Sequence, residues 1–162
     1  MLRVQQLMTQ NVHACGAWDS LEDAARKMWD HDIGALVVMD ADARAIGMLT
    51  DRDACMAALM TGRPLWSIRV SEAMSKGLFT VRPEEPIDDA EDVMREHQVR
   101  RVPVIDAAGR VVGVLSQNDL VREAARQRER DLRHKELSAI AVTATIASIG
   151  KSRAGQLEVA AE

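Results

Sequence analysis

A fixed internal period constrains this chain more than any single residue. Slid against itself by 66 residues, the sequence aligns without a gap from Val4 to Ala54, with 13 identities in 51 positions. Val4 meets Val70, Met8 meets Met74, Asp23 and Ala24 meet Asp89 and Ala90, Met28 meets Met94, and His31 meets His97. Val38, Asp40, Ala41, Arg44, Gly47, Leu49 and Asp53 then meet Val104, Asp106, Ala107, Arg110, Gly113, Leu115 and Asp119. A repeat this short cannot bury its own apolar face, so it must pack against its neighbour.

Each copy reads as the same string of elements. In the first, Asp19 with Glu22 three residues on is an N-terminal capping pattern, and Leu21, Ala24, Ala25 and Met28 share a helical face. In the second, Pro86 takes the first helical turn, and Ile87, Ala90 and Met94 repeat the face. Short β-branched runs follow, Ala35 to Met39 and Val102 to Ile105, then the polar turns Asp40 to Arg44 and Asp106 to Arg110. Second strands run over Ala45 to Leu49 and Val111 to Leu115, and helices open at Thr50 and Ser116. The expected fold is mixed α/β (α+β): two tandem β-α-β-β-α repeats packed about a pseudo-two-fold axis, with a C-terminal helical extension. The divisions are 1–62, a linker over 63–69, 70–125, a helical extension over 126–150 and a disordered tail over 151–162. In that extension Ser138 caps a helix, Ala139 to Ile149, whose apolar face holds Val142, Ile146 and Ile149.

Composition narrows the function classes. With 47% hydrophobic but only 2% aromatic residues, the core must be aliphatic. A formal charge of −4 argues against a surface built to hold nucleic acid or anionic lipid. No secretory pattern opens the chain and no run is long enough to span a membrane, so a cytoplasmic protein is expected. Cys15 and Cys55 form no Cys-x-x-Cys pattern and read as core or near-core thiols. His31 and His97 stand at matching helix ends, without further ligands at metal-binding spacing, and His13 and His134 have no evident partner. No metal site is expected. The mixed charges from Leu120 to Leu137 fit a solvated helix.

The chemistry lies in Gly47-Met48-Leu49-Thr50-Asp51-Arg52-Asp53 and its match Gly113-Val114-Leu115-Ser116-Gln117-Asn118-Asp119. Both have the form Gly-h-h-Thr/Ser-x-x-Asp where a strand gives way to a helix. A hydroxyl followed by a carboxylate at that spacing is a capping box. It also suits a nucleotide, since a helix N-terminus and a hydroxyl can hold phosphate while the carboxylate accepts from ribose hydroxyls. Both readings stand at this level.

These motifs, with Asp32-Ile33-Gly34-Ala35-Leu36-Val37-Val38 and Val99-Arg100-Arg101-Val102-Pro103-Val104, resemble the CBS domain pair, or Bateman module, over Val4 to Ala125. The resemblance implies a regulatory module without catalysis or catalytic cofactor, binding AMP, ADP, ATP, S-adenosylmethionine, NAD or a cyclic dinucleotide between its repeats. It implies that Asp53 and Asp119 hold ribose, that Thr50 and Ser116 face phosphate, with Arg52 and Asn118 beside them, and that such pairs form homodimers. Adenine would lie near Val12, Ala35 and Leu36, or near Thr80, Val102 and Pro103.

The copies differ in charge. The second has Arg100 and Arg101 where the first has Gly34 and Ala35, so a polyphosphate is expected to prefer the second copy's side, and a less anionic ligand the first. Surface solvation or a dimer contact is the alternative role for the Arg pair. An adaptor with empty clefts, recruiting an unknown protein target through the C-terminal helices, is the alternative function. An enzyme is disfavoured, because neither copy offers a nucleophile with a base.

Overall fold

Apolar runs of five or six residues, joined by turns that begin with Asp, become antiparallel strand pairs. In the computed structural model, which describes residues 2–131, the chain order is α1 (Val4–Leu7), β1 (Ala14–Gly16), α2 (Leu21–Asp30), β2 (Ala35–Met39), β3 (Ala45–Thr50) and α3 (Asp51–Thr61). A 3₁₀ turn over Leu65–Ser67 leads to α4 (Val70–Ala73), α5 (Ile87–Glu96), β4 (Arg101–Ile105), β5 (Val111–Ser116) and α6 (Gln117–Asp131). The expected helix over Ala139 to Ile149, its Ser138 cap, His134 and the 151–162 tail lie outside the described residues.

The two halves carry the same ladder. In the first sheet β1 runs parallel to β2, which pairs antiparallel with β3 in the register Ala35↔Thr50 and Leu36↔Leu49. In the second, β4 pairs with β5 in the matching register Arg101↔Ser116 and Val102↔Leu115. The expected first strand of the second copy shrinks to one bridge, Val81↔Val104. Pro83 stands where the first copy has Ala17 and has no N–H to extend the ladder. Each turn is tied by its Asp: Asp40 Oδ1 accepts from the N–H groups of Asp42 and Arg44, and Asp106 Oδ1 from those of Ala108 and Arg110, all at 2.9 Å.

The hydrophobic cores do not coincide with the sequence repeats. One gathers Leu21, Met28, Leu36, Val38 and Leu49 with Ile68 from the linker and Val70 from the start of the second copy. The other gathers Val81, Ala90, Val102, Val104 and Leu115 with Val4 from the start of the first. Hydrogen bonds sew both crossings in the same pattern. The Val4 and Gln5 N–H groups donate to the Glu85 and Pro83 carbonyls, while those of Val70 and Ser71 donate to Asp19 and Ala17. The motif glycines permit the crossing. A Cβ on Gly47 would stand 3.1 Å from the Ser75 carbonyl oxygen, and one on Gly113 3.2 Å from that of Thr9. Both cores are aliphatic, as composition requires.

Three local expectations are corrected. The cap of α2 is Ser20, whose hydroxyl accepts from the Asp23 N–H at 3.1 Å, while Asp19 turns back to accept from the Gly16 N–H at 2.8 Å. Pro86 occupies the cap position and the helix begins at Ile87. Of the two thiols only Cys15 is buried, where loss of hydration pushes its pKa up to about 11; Cys55 is exposed on α3. The sequence pattern could not tell these apart, because helical spacing places Cys55 one step from the buried Ala54.

Candidate ligand-binding clefts

The strand-to-helix junctions of the two halves face each other and leave two clefts, each of about 240 Å³. The first is lined by Thr50 and Asp53 from one half and by Ser75, Phe79, Arg100 and Arg101 from the other. The second is lined by Ser116, Asn118 and Asp119 together with Val12, His13, Asp32 and Gly34. Each cleft therefore joins the motif of one repeat to the segment that leads into the first strand of the other, Phe79 in the first cleft and Val12 and His13 in the second.

This cross-pairing overturns the expected charge assignment. The arginines of the second copy line the cleft of the first copy's motif, and Arg101 lines both clefts. Arg100 and Arg101 face one carboxylate, Asp53, in the first cleft. Arg101 and Arg122 face two, Asp32 and Asp119, in the second. The less negative surround, the better one for an anionic ligand, is thus the Thr50 and Asp53 cleft.

Both motifs are closed capping boxes. The Thr50 hydroxyl donates to Asp53 Oδ2 at 2.7 Å and accepts from the Asp53 N–H at 3.2 Å, and the Thr50 N–H donates to the same Oδ2 at 2.9 Å. Ser116 and Asp119 repeat this at 2.5, 3.3 and 2.9 Å. What each motif leaves for a ligand is Oδ1. That of Asp53 has no hydrogen bond among the described residues, and that of Asp119 lies 3.7 Å from Arg122 Nη1. The α3 terminus offers less to phosphate than its position implied. The N–H groups of Asp51, Arg52 and Asp53 already donate to Gly34 O, Asp51 Oδ1 and Thr50 Oγ1. Anion binding in the first cleft falls to the arginines. Arg101 is half-buried, and burial first, then Arg100, lowers its pKa, with Asp51 and Asp119 opposing.

Other expected contacts divide cleanly. Ala35 lines both clefts and Val12 the second. Leu36 and Val102 belong to the cores and Pro103 is fully buried, so none of these side chains lines either cleft. The reason is that these strands are covered on both faces, with three consecutive buried residues each. Thr80 and Arg52 also line neither cleft.

An aromatic pair at each cleft was missed. His13 lines the second cleft and its ring lies 4.1 Å from that of His31. Phe79 lines the first and stacks on His97 at 3.6 Å. His13 and Phe79 are equivalents at the 66-residue offset, as are His31 and His97. The helix-end histidines thus support a cleft-lining ring, and the 66-residue alignment carries that signal although the paired residues are not identical. Burial first, then the charges of His31 and Lys27, lowers the His13 pKa. Among the described residues no group of three or more His, Cys, Asp or Glu is placed to hold a metal ion, and no helix is long and apolar enough to cross a membrane.

Comparison with known proteins gives the family and the fold. The CBS domain family matches residues 4–59 and again 70–126. Hypoxic response protein 1 of Mycobacterium tuberculosis is 37% identical over 122 residues, 75% of this chain and 85% of that one. A crystal structure of Hypoxic Response Protein I with two coordinated zinc ions superposes with a TM-score of 0.68 at 36% identity, covering 75% of this chain and 98% of that one. The crystal structure of the CBS domain protein NE2398 gives 0.70 at 35% identity, covering 76% and 98%. The CBS domain pair of protein MJ0100, in complex with 5-methylthioadenosine and S-adenosyl-L-methionine, shares the fold with a TM-score of 0.69 at 23% identity, covering 78% and 98%.

Proposed function

This chain belongs to the CBS domain family as a tandem pair, and from that premise we propose that it is a regulatory module whose two clefts bind adenosine-containing ligands. The observation that carries this reading is the doubled cleft. In each, the motif's carboxylate shares the cleft with a ring from the opposite repeat, Phe79 in the first and His13 in the second. A carboxylate is a strong acceptor for the paired hydroxyls of ribose, and a ring face suits a purine. Asp53 and Asp119 are the proposed ribose acceptors, Arg100 and Arg101 the proposed phosphate partners in the first cleft. The adenosine compounds bound by the CBS pair of MJ0100 support the ligand class.

We assign no catalytic step: the cleft hydroxyls that meet a carboxylate, Thr50 and Ser116, are held in the capping boxes of α3 and α6. A cytoplasmic setting, where adenine nucleotides are abundant, belongs to the proposal. Calorimetric titration of the chain with AMP, ATP, S-adenosylmethionine and NAD tests it. At least one compound is expected to bind below millimolar concentration, and Asp53→Ala or Asp119→Ala to weaken it about tenfold, as loss of a charged hydrogen bond should. No binding at millimolar ligand, or binding indifferent to both substitutions, overturns the reading.

A further inference from the structure

Resting on that nucleotide reading, we infer that the two clefts compete for one guanidinium, so that an anionic adenosine ligand in the first cleft weakens anion binding in the second. Positions 35 and 101 are equivalents at the repeat offset, and each lines both clefts. They stand at the partition between the two sites. One carries a methyl group and the other the charge, so the partition holds a single cation where an exact repeat would hold two or none. Arg101 lies among Arg100, Asp51 and Asp119, and its Nη2 comes within 3.9 Å of where a Cβ on Gly34 would stand, at the mouth of the second cleft. It makes no ion pair within 4.0 Å among the described residues, so no carboxylate there holds it in place.

The charges left behind fix the order of filling. Without Arg101 the first cleft keeps Arg100 against Asp53, a balanced surround. The second then keeps Arg122 against Asp32 and Asp119, with Arg122 already drawn toward Asp119. An anion entering the first cleft therefore engages Arg101 and leaves the second with a net negative lining. A neutral adenosine makes no such claim on the guanidinium.

The test compares AMP and adenosine by calorimetry on the full chain, on Asp53→Ala and on Arg101→Ala. In the unmodified chain the second AMP is expected to bind about tenfold more weakly than AMP binds the second cleft of Asp53→Ala, a coupling of the size usual between linked sites. In the Arg101→Ala background that difference should vanish, and adenosine should show none in either. Arg100→Glu, on an exposed side chain outside the caps, closes the first cleft to anions by charge and repeats the comparison should Asp53→Ala fold poorly. Equal affinities of the second cleft with the first occupied or disabled overturn the inference while the nucleotide reading stands. So does a second cleft that takes no AMP when the first is disabled. Failure of both AMP and adenosine to bind at millimolar concentration removes the nucleotide reading itself.

Discussion

At the corner between their paired strands, the two repeats place different residues in the same left-handed backbone. Gly109 has φ of 78° and its equivalent Ala43 has φ of 59°. Only the alanine meets the steric penalty of that region, because its Cβ approaches the following carbonyl. Ala43→Gly is therefore expected to stabilise the chain by about 0.5–1 kcal/mol, read as a higher urea midpoint at unchanged slope. Gly109→Ala should lose about as much. His13 carries a second asymmetry, since Phe79 cannot titrate. The folded chain holds the His13 pKa below its ordinary 6.5 through burial, His31 and Lys27. The folded state thus binds fewer protons than the unfolded, and this stability is present above pH 6.5 and lost as pH falls through the folded value. His13→Phe should flatten the fall in urea midpoint between pH 7 and 5; an unchanged slope would exclude His13 as its source.

Among the elements, the short helices α1 and α4 have an influence out of proportion to their four residues. Each closes the core of the half to which it does not belong in sequence. Val4→Ala, at a fully buried site, should cost about 2 kcal/mol. All three tryptophans, Trp18, Trp29 and Trp66, precede the second copy. Their fluorescence reports one half, whereas Val4 is buried in the other core. A single unfolding transition that shifts with Val4→Ala is expected, and a tryptophan transition insensitive to it would show two halves that unfold separately. The α-β-β-α order common to both halves was legible because strand and helix periods are local properties, whereas α1, α4 and the shortened first strand of the second copy depend on the crossing between halves. Arginine placement was not, because it depends on which repeat's strand meets which repeat's helix.

On the scale of the whole molecule the surface is as unequal as the clefts. The large apolar residues exposed among those described, from Trp18 to Trp66, all precede Val70. Three of them, Met56, Leu59 and Met60, share a face of α3 at helical spacing. The homodimer that the family resemblance implies is tested on this face. Leu59→Glu with Met60→Lys should then halve the mass seen by sedimentation equilibrium at micromolar protein, and leave the circular dichroism unchanged. A chain that sediments as a monomer before substitution refutes the dimer. The tandem repeat, the α-β-β-α order shared by its two copies, the aliphatic core and the two capped Gly-h-h-Thr/Ser-x-x-Asp junctions were determined by sequence alone, since each follows from periodicity or from contacts within four residues. Only the tertiary structure decided that Arg101 stands between the clefts and that Arg100 serves Asp53. It also turned the side chains of Leu36, Val102 and Pro103 into the interior. The physical reason is the crossing at Val4 and Val70: residues in register at 66 positions apart face one another across a rotation, and charge complementarity follows that rotation rather than the order of the chain.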